Sequence, residues 1–127
     1  MTQSVVLVPP AGTARHVITS LTSSALSQLV NGTPLLLDGV LPLATREVPV
    51  TLIASSNPPA GERRNRRVDM LLTAPNIHRL AGPILIAKRR NGSLVGLGRR
   101  ELAALIDDQT PVHARDLIAP DVTSAAY

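Results

Sequence analysis

The chain has 127 residues, of which 44% are apolar, with no cysteine, phenylalanine or tryptophan and one tyrosine, Tyr127. That length suggests a single domain over 1–127 with a modest core built from Leu, Ile, Val and Ala, the kind of core that often gains stability from oligomerisation. Lys plus Arg number 13 against 9 Asp plus Glu, a formal charge of +4, and Lys88 is the only lysine. The absence of cysteine excludes disulfides, thiolate metal sites and cysteine nucleophiles. No stretch reaches the ~18–20 apolar residues of a membrane span. The Met-Thr-Gln-Ser start has no basic region ahead of an apolar run, so it does not read as a signal peptide and synthesis in a cytoplasm is expected.

Ser4 to Val8 is a short β-branched run, broken by Pro9-Pro10-Ala11-Gly12, and Arg15 to Thr19 is a second. Together they predict an N-terminal β-hairpin. Leu21, Ala25, Leu26, Leu29 and Val30 share one helical face, so 21–30 reads either as a helix or as extended chain. Asn31-Gly32 ends either version.

Pro34 to Val40 and Val48 to Ser55 are strand candidates. In the second, Val50, Leu52 and Ala54 would face one side, with Thr51, Ile53 and Ser55 on the other. Asn57-Pro58-Pro59-Ala60-Gly61 is a turn by chemistry. Glu62 to Arg67 then leads into Val68 to Ala74. There Val68, Met70, Leu72 and Ala74 predict an apolar strand face, and Arg67, Asp69 and Thr73 a polar one interrupted by Leu71; Pro75 ends the strand. Paired antiparallel, the two strands would bury one face and leave one wet.

Pro83 to Arg90 predicts a further strand, ended by Asn91-Gly92. From Ser93, a plausible N-cap, Leu94, Leu97, Leu102, Leu105 and Ile106 recur at helical spacing up to Asp107-Asp108. Pro111 opens a second short helix through Arg115, Leu117 and Ile118, closed by Pro120. Strands grouped apart from helices predict an α+β domain.

The residues for catalysis do not assemble. His16, His78 and His113 are scattered, which predicts no metal site, and no nucleophile elbow, phosphate-binding loop or dinucleotide fingerprint occurs. No enzyme activity, cofactor or small-molecule substrate is expected. The sharpest local signal is basic: Arg63, Arg64, Arg66 and Arg67, with Lys88, Arg89, Arg90, Arg99 and Arg100 further on. The bland reading is a solvated loop. The functional one is attachment to phosphate, which the planar guanidinium fork suits. The lack of aromatic residues argues against base-stacking RNA domains.

Two blocks carry a family likeness. Val48 to Ser56, a Pro-bearing basic turn, Arg66 to Ala74 and then Pro75 follow one another in a strand–basic turn–strand order. Arg99 to Ile106, continuing to Ala125-Ala126-Tyr127, forms an amphipathic helix, a Pro-marked break, a second helix and a small-residue tail ending in Tyr. This arrangement resembles the coat proteins of small single-stranded RNA bacteriophages, the levivirus family. The resemblance implies an N-terminal hairpin, an antiparallel sheet of about five strands and two C-terminal helices reaching over a partner's sheet, with Leu102, Leu105 and Ile106 packed there. It implies an interlocked homodimer that assembles into an icosahedral virion shell around genomic RNA, made in a bacterial host. It also implies RNA contacts on the inward sheet face at Thr51, Ser55, Arg67, Asp69 and Thr73, with Arg89 added from the last strand, and possible repression of replicase translation through an RNA hairpin. Leu71 stands where that family would place a basic residue. The competing expectation is a small regulatory module that contacts nucleic acid or a host protein through Arg63 to Arg67.

Overall fold

The computed structural model of the protein describes residues 2–73 and 80–117. Expectations for Ala74, Pro75, Asn76 to Arg79, Ile118, Pro120 and the tail to Tyr127 fall outside the described residues.

The chain is an α+β protein. The predicted hairpin forms as β1 (Gln3–Val8) and β2 (Arg15–Thr19), antiparallel with Val5 opposite Val17. The segment left open in the sequence is helix α1 (Ser23–Val30). Thr22 caps it by accepting a hydrogen bond from the Ala25 N–H, and Asn31, in the left-handed region at φ 59°, ends it. Strands β3 (Pro34–Pro42), β4 (Glu47–Ser55) and β5 (Ile84–Arg90) follow, then β6 (Ser93–Val95), helix α2 (Arg99–Leu105) and β7 (Val112–His113). The seven-stranded sheet runs β3-β4-β5-β1-β2-β7, with β6 attached to the end of β5. Its pairs are antiparallel except β2–β7, which is parallel, so the sheet is mixed.

Three expected elements are corrected. Of the expected strand Val68 to Ala74, the described residues Val68 to Thr73 do not pair with β4, whose partners are β3 and β5. Asp69–Leu71 is instead a single 3-10 turn, with Val68 and Leu71 buried and Met70 87% exposed. Burial at spacing three, not two, wins here. Ser93 does not start a helix. Asn91 and Gly92, at φ 52° and 82°, make a two-residue hairpin turn that returns the chain as β6 against β5. The helix begins only at Arg99, after Gly98. Residues 112–113 are strand β7, and of the second expected helix only residues 114–117 are described as helical.

The expected wet sheet face is largely covered. On one side Val5, Val17, Ile53, Leu85 and Ala87 pack against Leu26, Leu29 and Val30 of α1. On the other, Val6, Val8, Val50, Leu52, Ala54, Ile84 and Ile86 pack against Val68, Leu71, Leu97, Leu102 and Ile106. Central strands β4 and β5 are therefore buried on both faces, and each fully buried aliphatic side chain contributes about 1.5–3 kcal/mol. Leu102 and Ile106 lie in their own chain's core and half-buried Leu105 packs against it, where the family likeness placed all three under a partner.

At the outer edge of β3, Gly39 forms a bridge with Leu72, and the Thr73 N–H donates to the Asp38 carbonyl. A Cβ on Gly39 would stand 2.7 Å from the Leu71 carbonyl oxygen. Gly39→Ala should therefore push this segment off the edge and lower stability by about 1–3 kcal/mol in urea unfolding. An unchanged midpoint would show that the contact contributes nothing.

Candidate nucleic-acid interface

The basic segment is fixed by one buried side chain. Asn65 is 1% exposed and lies between Arg64 and Arg66. Its Nδ2 donates to the carbonyls of Val8 and Gly82, both at 2.9 Å, and its Oδ1 accepts from the Arg67 N–H at 3.1 Å. The backbone around it is held as well: Asn65 N–H donates to the Leu80 carbonyl and Gly82 N–H to the Arg63 carbonyl, each at 2.8 Å. Arg64 bridges Ala81. A segment that reads as a solvated loop is thus an ordered ledge across the start of β5 and the end of β1.

Arg63, Arg64 and Arg66 are exposed on that ledge. Elsewhere in the chain Lys88 forms a side-chain ion pair with Glu101. Arg67 has a different task. Its Nη1 donates to the carbonyls of Pro9 and Gly12, which ties the β1–β2 turn to the ledge. The strand on which Arg67 was expected does not form, so it does not share a sheet face with Thr51. Asp69, in the 3-10 turn, also lies off the sheet surface expected for it.

The other candidates divide. Thr51 pairs with Ala87 across β4–β5 and with Asp38 across β3–β4. Strand alternation puts Arg89, two residues beyond Ala87, on the same face. These side chains meet beyond the area that α1 covers, where Asp38, Thr51, Thr73 and Arg89 line one cleft of about 220 Å3. Three of the predicted contact residues, Thr51, Thr73 and Arg89, are therefore brought together, with Asp38 as an addition that strand parity had not singled out. Thr51 itself is only 2% exposed, which leaves contact mainly to the other three. Ser55 is not part of the cleft. It is buried at the opposite end of β4, where its Oγ lies near the Asn31 carbonyl and the Asn57 side chain and accepts the Asn57 N–H.

The Lys88–Glu101 pair, at 2.7 Å, joins the end of β5 to the first turn of α2. The Lys88 hydrogen bond, helped by the Gly98 N–H, holds the Glu101 carboxyl below the usual glutamate range despite burial. A depressed acid pKa contributes stability that is full above the ordinary value and is lost as pH falls through the lowered one. Glu101→Gln should cost about 1–2 kcal/mol at neutral pH and flatten the acid-side loss of stability. An acid limb identical to that of the unsubstituted protein would contradict the pairing.

Among the described residues no cluster of His, Asp and Glu has metal-site geometry, and no helix is long and apolar enough to cross a membrane. No protein-family model, curated protein or solved structure matches the chain.

Proposed function

We propose that this chain is a small nucleic-acid-binding protein that grips a phosphate backbone with Arg63, Arg64 and Arg66. The observation that supports it most is the pinning of those residues around Asn65. Three exposed guanidiniums stand on backbone that is already ordered, so binding sacrifices little backbone freedom. Each can donate paired hydrogen bonds to phosphate oxygens. With no Phe or Trp in the chain, base stacking has little to work with, and recognition follows charge and backbone shape more than sequence.

The finer reading, an RNA-phage coat subunit whose dimers close a shell around the genome, rests on the sequence likeness. It asks for a sheet face free to receive a partner's helices. Here α1 covers much of one face, and Val68, Leu71 and α2 cover much of the other. We therefore favour a binding module that works as a small oligomer. Light scattering of the purified protein, with and without RNA and after nuclease treatment, separates the two. A small oligomer that binds RNA supports the module. Uniform particles with protected RNA would favour the coat subunit instead, and failure to bind any nucleic acid would sink both.

A further inference from the structure

We propose that a second basic patch, formed by Arg89, Arg90, Arg99 and Arg100, holds a separate nucleic-acid segment, so that one molecule bridges two strands. This rests on the reading of Arg63, Arg64 and Arg66 as the first phosphate site.

The fold builds the second patch from two elements. Arg89 and Arg90 end β5 just before the Asn91-Gly92 turn, and Arg99 and Arg100 open α2. The ion pair between Lys88 and Glu101 clamps these elements together. All four arginines are exposed. Glu101 is the acidic residue nearest to them in sequence, and Lys88 already neutralises it. Asp38 shares a cleft with Arg89, so Arg90, Arg99 and Arg100 carry most of the free charge. Like charges held this close repel one another, and a polyanion relieves that repulsion.

The two patches lie toward opposite ends of one strand. Arg63 and Arg64 contact Gly82 and Ala81 just before β5, and Arg89 and Arg90 close it. About eight residues of extended chain span on the order of 25 Å, roughly three Debye lengths at physiological salt. The patches therefore attract phosphate independently. A short strand fills one of them, and a long or second strand can occupy both.

The test uses the full chain with a short RNA oligonucleotide for stoichiometry and a long RNA for bridging, read by light scattering. Two triple variants are compared, R63Q/R64Q/R66Q and R90Q/R99Q/R100Q, with urea unfolding as the check that both fold. The proposal expects two short oligonucleotides per chain for the unsubstituted protein and one for each variant. Scattering from long RNA should fall to background in both variants, while the site left intact keeps its affinity within about twofold. One oligonucleotide per chain, with R90Q/R99Q/R100Q indistinguishable from the unsubstituted protein, would overturn the second site and leave the first standing. No oligonucleotide bound at all would overturn both.

Discussion

Asn65→Ala should unfold at a much lower urea concentration, with a loss of about 3 kcal/mol. The truncation leaves the Val8 and Gly82 carbonyls without their donor and the Arg67 N–H without its acceptor. Each orphaned buried group costs about 1–3 kcal/mol, and the full sum is softened because water can reach the edge of the ledge. Asn65→Asp should be at least as damaging, since a carboxylate would face two carbonyl oxygens in place of an N–H donor. Asn57→Ala is the comparison. Its side chain also accepts a backbone hydrogen bond, from Thr33, but on the exposed surface, and the expected loss is about 1 kcal/mol. If Asn65→Ala moved stability by no more than ~0.5 kcal/mol, as ordinary surface substitutions do, Asn65 would not be what holds the ledge.

The largest effect on binding should come from R63Q/R64Q/R66Q. These side chains are exposed, so the variant should keep the stability of the unsubstituted protein to within about 0.5 kcal/mol. Measured by fluorescence anisotropy in the R90Q/R99Q/R100Q background, affinity for a short RNA should fall about 100-fold or more, because three charge-assisted hydrogen-bonding groups are removed together. Arg67→Gln should behave the other way round. Arg67 spends its guanidinium on Pro9 and Gly12, so the substitution should loosen the β1–β2 turn while changing affinity far less. A variant pattern in which Arg67 mattered most for binding would put the RNA surface elsewhere.

Much of the sheet was legible in the sequence because its signals are local. β-branched runs around Pro9-Pro10-Ala11-Gly12 gave the hairpin, and Val48 to Ser55 and Pro83 to Arg90 gave two central strands. The wet face was misjudged although a signal was present. Leu52-Ile53-Ala54 and Ile84-Leu85-Ile86-Ala87 are unbroken apolar runs, which mark strands buried on both sides, and the alternation read into β4 hid this. Val68 to Leu72 carried two periods at once. Val68, Met70 and Leu72 fit a strand, whereas Val68 and Leu71 fit a turn, and tertiary packing selected the second.

The site was legible in part for the same reason. Strand parity sufficed to place Thr51 and Arg89 on one face, and the arginine run was plain. Asn65 was not visible, since an asparagine among four arginines looks like any solvated polar residue until its partners, Val8 and Gly82, arrive from distant parts of the chain.

The most direct test of nucleic-acid binding through the Arg63–Arg66 ledge is the salt dependence of affinity for a short single-stranded RNA, measured in R90Q/R99Q/R100Q with and without the added R63Q/R64Q/R66Q substitutions. If three phosphates are neutralised there, log affinity should fall linearly with log salt, with a slope near −2, and adding R63Q/R64Q/R66Q should remove this binding. Binding whose slope is near zero, or is unchanged when R63Q/R64Q/R66Q is added, would contradict the account.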